Sequence, residues 1–411
     1  MSLSFQPLID ALDGQADRVA ALQQTLTACR ALGPENGGQG EEEKTAFIAA
    51  QLRVAGVTDL RRFDAPDPRV PCGHRPNLVA RIPGRSPRTL WIFAHTDVVP
   101  SGPVEEWSSD PWQVRREGDL LYGRGVEDNQ QGLVSMLLLA EALHSTGLTP
   151  ELSLGLVFMA DEETGNDYGL AHLLRSTASA LFRHDDLFLV PDSGSPSGAD
   201  MEVAEKSIAQ FRVRTRGLQG HASTPHKARN ALSAAAEAIT ALGDLERDFP
   251  REDPLFDPPR STFVPTRHDA NGPGINVIPG EDVFYLDCRL LPGIDPDAVL
   301  AAIRKRVDAV ARRHAVDIGV ELIHLQQASA SASDCPAARA LIPAIGAVYG
   351  REARPVGIGG GTVAALLRQA GLPTVVWSCI RNTCHQHNEH SSINATIRDA
   401  QVFAHVLMHS H

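Results

Sequence analysis

The chain has 411 residues, 43% of them hydrophobic and 21% charged, with a formal net charge of -12. That length exceeds what one compact core usually fills, so two domains are expected. Acidic and basic residues are mixed along most of the chain, which argues against the concentrated basic face of a nucleic-acid binder. No run reaches the roughly 18 to 20 apolar residues that span a bilayer, so no membrane partner is expected.

Residues 14–32 and 42–55 carry apolar residues at helical spacing, separated by the loop GPENGGQGEEE. NLVARI and TLWIFAH then read as strands, GLVSMLLLAEALHSTG as a buried helix stopped by glycine, and LSLGLVFMA and DLFLVPD as further strands. Strands alternating with helices predict an α/β domain with a mostly parallel central sheet covered on both faces.

The texture changes near residue 203. AQFRVRTRG alternates as a half-buried strand, and a helix follows the cap candidate Asn230. STFVPTRHDA and EDVFYLDCRLL are two more strands, DPDAVLAAIRKRVDAVARRH an amphipathic helix, and DIGVELIHLQ a closing strand. This βαββαβ order predicts an inserted α+β, ferredoxin-like domain over 203–326. The first domain would comprise 1–202 and 327–411, completed by CPAARALIPAIGAVYG, TVAALLRQAG and PTVVWS.

Six thinly spread cysteines (Cys29, Cys72, Cys288, Cys335, Cys379, Cys384) form no CxxC pair. With an N-terminus lacking the basic and apolar regions of a secretory signal, they lead us to expect a cytoplasmic location.

Chemistry gathers where the strands of the first domain end. HTD places His95 and Asp97 after one strand, and EDNQQG places Asp128 before the buried helix. DEETG places Glu162 and Glu163 after a third segment, PDSG places Asp192 after a fourth, and CHQHNEH follows the last. Ligands of open α/β sheets bind beyond the carboxyl ends of the strands. Histidines and carboxylates delivered there from five segments are the composition of a metal site. So many carboxylates in one crevice would repel one another unless cations lay between them.

On these motifs the sequence resembles the dinuclear-zinc amidohydrolases and peptidases of the M20 family, which include acetylornithine deacetylase, succinyl-diaminopimelate desuccinylase, aminoacylase-1 and glutamate carboxypeptidase. The resemblance runs from LVARIPG to HNEHSSI. It implies a zinc-peptidase-like catalytic domain with an inserted lid and dimerisation domain. It also implies two divalent metal ions, zinc foremost, since imidazole and carboxylate ligands accept cobalt or manganese too.

Residue by residue, the resemblance assigns His95, Asp128, Glu163, Asp192 and His385 to the metals, with Asp128 bridging. Asp97 would orient His95, Glu162 would be the general base, and His221 in RGLQGHASTPH would stabilise the oxyanion across a dimer interface. Asn276, Arg289, Gly360 and Gly361 would line the substrate pocket, Asn276 and Arg289 contacting a substrate carboxylate. The implied reaction is amide hydrolysis by a metal-bridging hydroxide, the implied partners a small or short-peptide substrate with a free carboxylate and a second copy of the chain.

Several positions have competitors in the sequence. His387 and His390 lie near His385, which the H-x-x-N-E register selects. His226 lies near His221, and Asp287 lies two residues from Arg289, so that both can share one strand face as a simple ion pair. GGG at 359–361 lacks the Lys-Ser/Thr of a phosphate loop, and Cys384 lacks an activating arrangement. VEDNQQG, with Gln130 and Gln131, departs from the Asp-Lys/Met-Lys-Gly pattern of many deacylases. Deacylation of an N-acylated amino acid, dipeptidase or carboxypeptidase action, and an inactive dimeric binder therefore stand as three readings.

Overall fold

The computed structural model describes residues 5–176, 180–269, 272 and 274–409, so Ala270 of the expected strand STFVPTRHDA and Pro273 of GPGINVIPG lie outside it. The chain forms two compact units, Met1–Val203 with Ser331–Pro355 and Thr362–His411, and Ala204–Ala330 with Val356–Gly361. The segment 356–361, placed by the sequence with the first domain, therefore groups with the inserted one. There the Lys206 N–H donates to the Ile358 carbonyl and Arg289 Nη1 donates to the Gly359 carbonyl.

In chain order the first unit opens with α1 (Gln6–Leu12), α2 (Ala16–Ala28) and α3 (Glu42–Val54). Strands β1 (Asp59–Arg62), β2 (Leu78–Ile82) and β3 (Thr89–His95) lead to α4 (Gln130–Thr146). Then come β4 (Ser153–Met159), β5 (Leu187–Gly194) and β6 (Asp200–Glu205), which carries the chain to the unit boundary. The second unit holds β7 (Ser207–Arg216), α5 (Ala231–Leu242), β8 (Thr262–His268), β9 (Glu281–Leu290), α6 (Pro296–His314) and β10 (Asp317–Gln326). The first is completed by α7 (Pro336–Tyr349), β11 (Thr374–Ser378) and α8 (Ile393–Met408).

The large sheet includes the order β1-β2-β4-β3-β5-β11-β6. Its middle strands β4, β3, β5 and β11 are parallel, and antiparallel neighbours flank them, NLVARI (β2) among these. Every residue of β3 and β4 is buried, as a strand covered on both faces requires. Trp91 lies opposite Gly155 on β4, and a Cβ at Gly155 would come within 2.1 Å of the Trp91 ring. That close approach explains a glycine in mid-strand. Gly155→Ala is expected to destabilise the fold by about 1–3 kcal/mol, read as a lower urea midpoint at unchanged slope.

The second unit has the antiparallel order β8-β9-β7-β10, which is the split βαβ topology. Alternating residues of β7 and β9 face a core shared with α5 and α6: Phe211, Val213, Phe284, Leu286, Ala235, Val299 and Ile303. The expected cap is present, Asn230 Oδ1 accepting the Ser233 N–H at 3.1 Å.

Candidate metal centre

His95 is the last residue of β3, and Asp128 lies just before α4. Glu162 and Glu163 follow β4, Asp192 lies near the end of β5, and His385 stands in the loop after β11 with φ +62°. All belong to the first unit. His95 Nε2 lies 2.8 Å from Asp128 Oδ1 and 3.6 Å from Asp192 Oδ1. His385 Nε2 lies 3.0 Å from Asp128 Oδ2 and 3.2 Å from Glu163 Oε2. Asp128 is thus shared between two imidazoles, one on each oxygen.

Burial raises the proton affinity of Glu162 well above the carboxylate range; His95 opposes this, and Asp192, Glu163 and Asp128 add to it. Glu163 is raised by burial as well, against a hydrogen bond from His385. Burial opposes protonation of His95, but hydrogen bonds to Asp128, Asp192 and Asp97 prevail and push it well up. Hydrogen bonds to Asp128 and Glu163 push His385 up to about 10. Burial would raise Asp128, yet hydrogen bonds from His385 and His95 hold it below the usual range. The centre is a concentration of negative charge in search of cations.

The donor set fits divalent metal ions. His95, Asp128 and Asp192 offer ligand atoms within 4.8 Å of one another, as do His95, Glu162 and Glu163, and Asp128, Glu163 and His385. Oxygen and imidazole donors suit zinc, cobalt or manganese. No hydrogen bond engages the Glu162 carboxylate among the described residues, leaving it open to a water.

Asp97 does two things. Its Oδ1 lies 3.4 Å from His95 Nδ1, and its carboxylate accepts the N–H groups of Glu162 and Glu163 at 3.1 and 3.0 Å. It therefore ties the β3 end to the acidic turn after β4. Asp161, the first acid of that turn, faces away, accepting from the Tyr168 N–H, Thr164 and Arg75.

Sequence reasoning missed two residues that hold the centre. Glu389 is fully buried and accepts the N–H groups of Gly125, Glu127 and Asp128, and Arg124 Nη1 at 2.6 Å. Glu127 accepts the N–H groups of Arg381, Thr383 and Cys384. The acid beside Asp128 thus fixes the His385 loop, and the acid four residues after His385 fixes the Asp128 loop. The available signal was two acids flanking candidate ligands, at Glu127 and Glu389. Gln131, which breaks the deacylase pattern, is buried and donates to the Cys379 carbonyl and to Asp399.

The remaining expected site residues lie in the second unit. His221 is exposed, its Nδ1 accepting the Ser223 N–H at 3.1 Å. Asn276 is exposed, and its carbonyl accepts the Ala222 N–H. Arg289 pairs with Asp287 at 2.7 Å and donates to Gly359, the carbonyl next to Gly360 and Gly361.

Clustered carboxylates and imidazoles at the carboxyl ends of parallel strands are the apparatus of a metallohydrolase. Its lineage follows from comparison: residues 91–409 match the model of peptidase family M20/M25/M40, and the chain belongs to that family. An uncharacterized metallohydrolase of Methanococcus maripaludis is 33% identical over 414 residues, covering 95% of this chain and 99% of the relative. A succinyl-diaminopimelate desuccinylase of Dinoroseobacter shibae is 27% identical, covering 91% and 94%. In fold the chain is similar to human carnosine dipeptidase 1, at 16% identity and TM-score 0.78 over 98% of both chains. No helix among the described residues is long and apolar enough to cross a membrane.

Proposed function

We propose that the chain hydrolyses an amide bond in a small N-acylated amino acid or short peptide carrying a free carboxylate. The observation that carries this reading is the sharing of Asp128 between His95 and His385 beside a Glu162 carboxylate that no hydrogen bond engages among the described residues. His95, Asp128 and Asp192 would hold one divalent ion, and Asp128, Glu163 and His385 a second, zinc foremost. Such ions, when bound, polarise an amide carbonyl and acidify water at neutral pH. Glu162 takes the proton of the attacking water and returns it to the leaving amine. Asp97 keeps the His95 ring and the Glu162–Glu163 turn in register.

With Nδ1 accepting from Ser223, neutral His221 carries its proton on Nε2 and is a ready donor to an oxyanion. We assign it that role, in a homodimer built through the inserted unit. Arg289 has one N–H left on each Nη after Asp287 and Gly359 are served, and we assign these, with Asn276, to the substrate carboxylate. Gly360 and Gly361 would line the pocket. Six free cysteines support a reducing, cytoplasmic setting.

Peptidase action is the second reading, favoured by the likeness in fold to carnosine dipeptidase. Zinc- or cobalt-loaded protein should be assayed on N-acetyl and N-succinyl amino acids, free dipeptides and C-terminally amidated peptides. Amine release from the acylated amino acids alone is expected. Cleavage of free dipeptides would move the chain to the peptidases, and loss of activity on the amidated set would support the carboxylate role of Arg289. Silence of the whole panel with metal bound would remove both readings.

A further inference from the structure

A second group of metal-ligating side chains lies on the first unit, built from residues with no part in the centre above. Glu42 begins α3, Cys72 stands in a turn before β2, and His74 opens the two-residue strand His74–Arg75 that follows that turn. One ligand atom of each lies within 4.8 Å of the other two. His74 Nε2 is 3.0 Å from Glu42 Oε2 and 3.6 Å from Asp64 Oδ2, and the Cys72 thiol is exposed.

A guanidinium already marks the spot as cationic. Arg62 donates to both oxygens of Glu42, at 2.9 and 2.5 Å, and its Nε lies 3.1 Å from both oxygens of Asp64. Its Nη2 also lies 3.1 Å from His74 Nε2. That nitrogen is shared by two neighbours: protonated, it donates to Glu42 Oε2, and unprotonated, it accepts from Arg62. A divalent cation in place of the Arg62 guanidinium would take the imidazole lone pair and the Glu42 carboxylate oxygen together.

The donors also say which cation. Thiolate, imidazole and carboxylate are the zinc set, whereas calcium and magnesium take oxygen alone. We propose that Glu42, Cys72 and His74, with Asp64 in reach, form a second site for a zinc-class divalent cation, which displaces Arg62 and releases the thiol proton to water.

The site has a route to the centre. Glu41 and Arg75, the next residues along from Glu42 and His74, turn inward as a fully buried ion pair. The Arg75 guanidinium reaches Asp161 at 3.4 Å, the residue before Glu162. A cation bridging Glu42 to His74 would clamp the two segments that carry this pair.

The test is the spectrum of the full chain titrated with cobalt(II). The centre offers nitrogen and oxygen donors, so a near-ultraviolet thiolate-to-cobalt band reports a cysteine ligand. We expect the band in the wild type and in C384S, and its absence in C72S together with one equivalent less of bound metal. H74A should weaken it at least roughly tenfold in affinity. Because Cys72 is exposed, metal-free C72S should keep the wild-type melting temperature, which separates loss of a ligand from loss of fold. No band, a band lost only in C384S, or equal metal content in wild type and C72S overturns the proposal.

Discussion

Glu162→Gln is expected to lower kcat by roughly 10²–10⁴-fold while bound metal stays at the wild-type level. Glutamine keeps the size and reach of the side chain but takes no proton from water. Because the Glu162 carboxylate has no hydrogen-bond partner among the described residues, the exchange strands no protein donor. The fold should therefore be untouched, and the loss should fall on kcat more than on KM. Steady-state kinetics beside metal analysis decide the matter. A kcat within a few-fold of wild type would take the proton transfer away from Glu162, and a parallel loss of metal would make it a ligand instead.

Asp128→Ala is expected to have a larger effect, because it removes a partner from both histidines at once. Metal affinity should fall by more than the roughly 10–100-fold typical of losing an outer-shell partner, and activity should fall with it. A second readout needs no turnover. His385 is held up near a pKa of about 10 first by Asp128 and then by Glu163. In metal-free protein its imidazole should therefore titrate at lower pH in the variant, which histidine NMR resonances would follow. Wild-type metal content in Asp128→Ala would rule out the shared-carboxylate arrangement.

The strands that carry the centre were legible because each is an apolar run ending in a short acidic or histidine-bearing motif. Period 2 in AQFRVRTRG and EDVFYLDCRLL matches the burial alternation of β7 and β9, since one face of that sheet is covered. Other features had no local signature. That β2 runs antiparallel depends on its partner strand, and its own residues are as apolar as those of the parallel β3. β6 was missed because its apolar residues meet the change of texture at 203. Helix α8 follows directly on CHQHNEH and was not separated from it, although Ser392 caps it through the Ala395 N–H. The crossed roles of Glu127 and Glu389 depend on loops more than 250 residues apart coming together, which no spacing encodes.

The position of β11 has a consequence for how the protein comes into being. This strand is supplied late in the sequence yet lies inside the sheet, between β5 and β6, and His385 follows it only seven residues later. A nascent chain that has not yet delivered Thr374–Ser378 has a gap in its sheet, lacks one of the two imidazoles, and leaves the acid at 127 with none of its three backbone donors. His95, Asp128 and His385 therefore cannot be brought together until the chain has been made past residue 385.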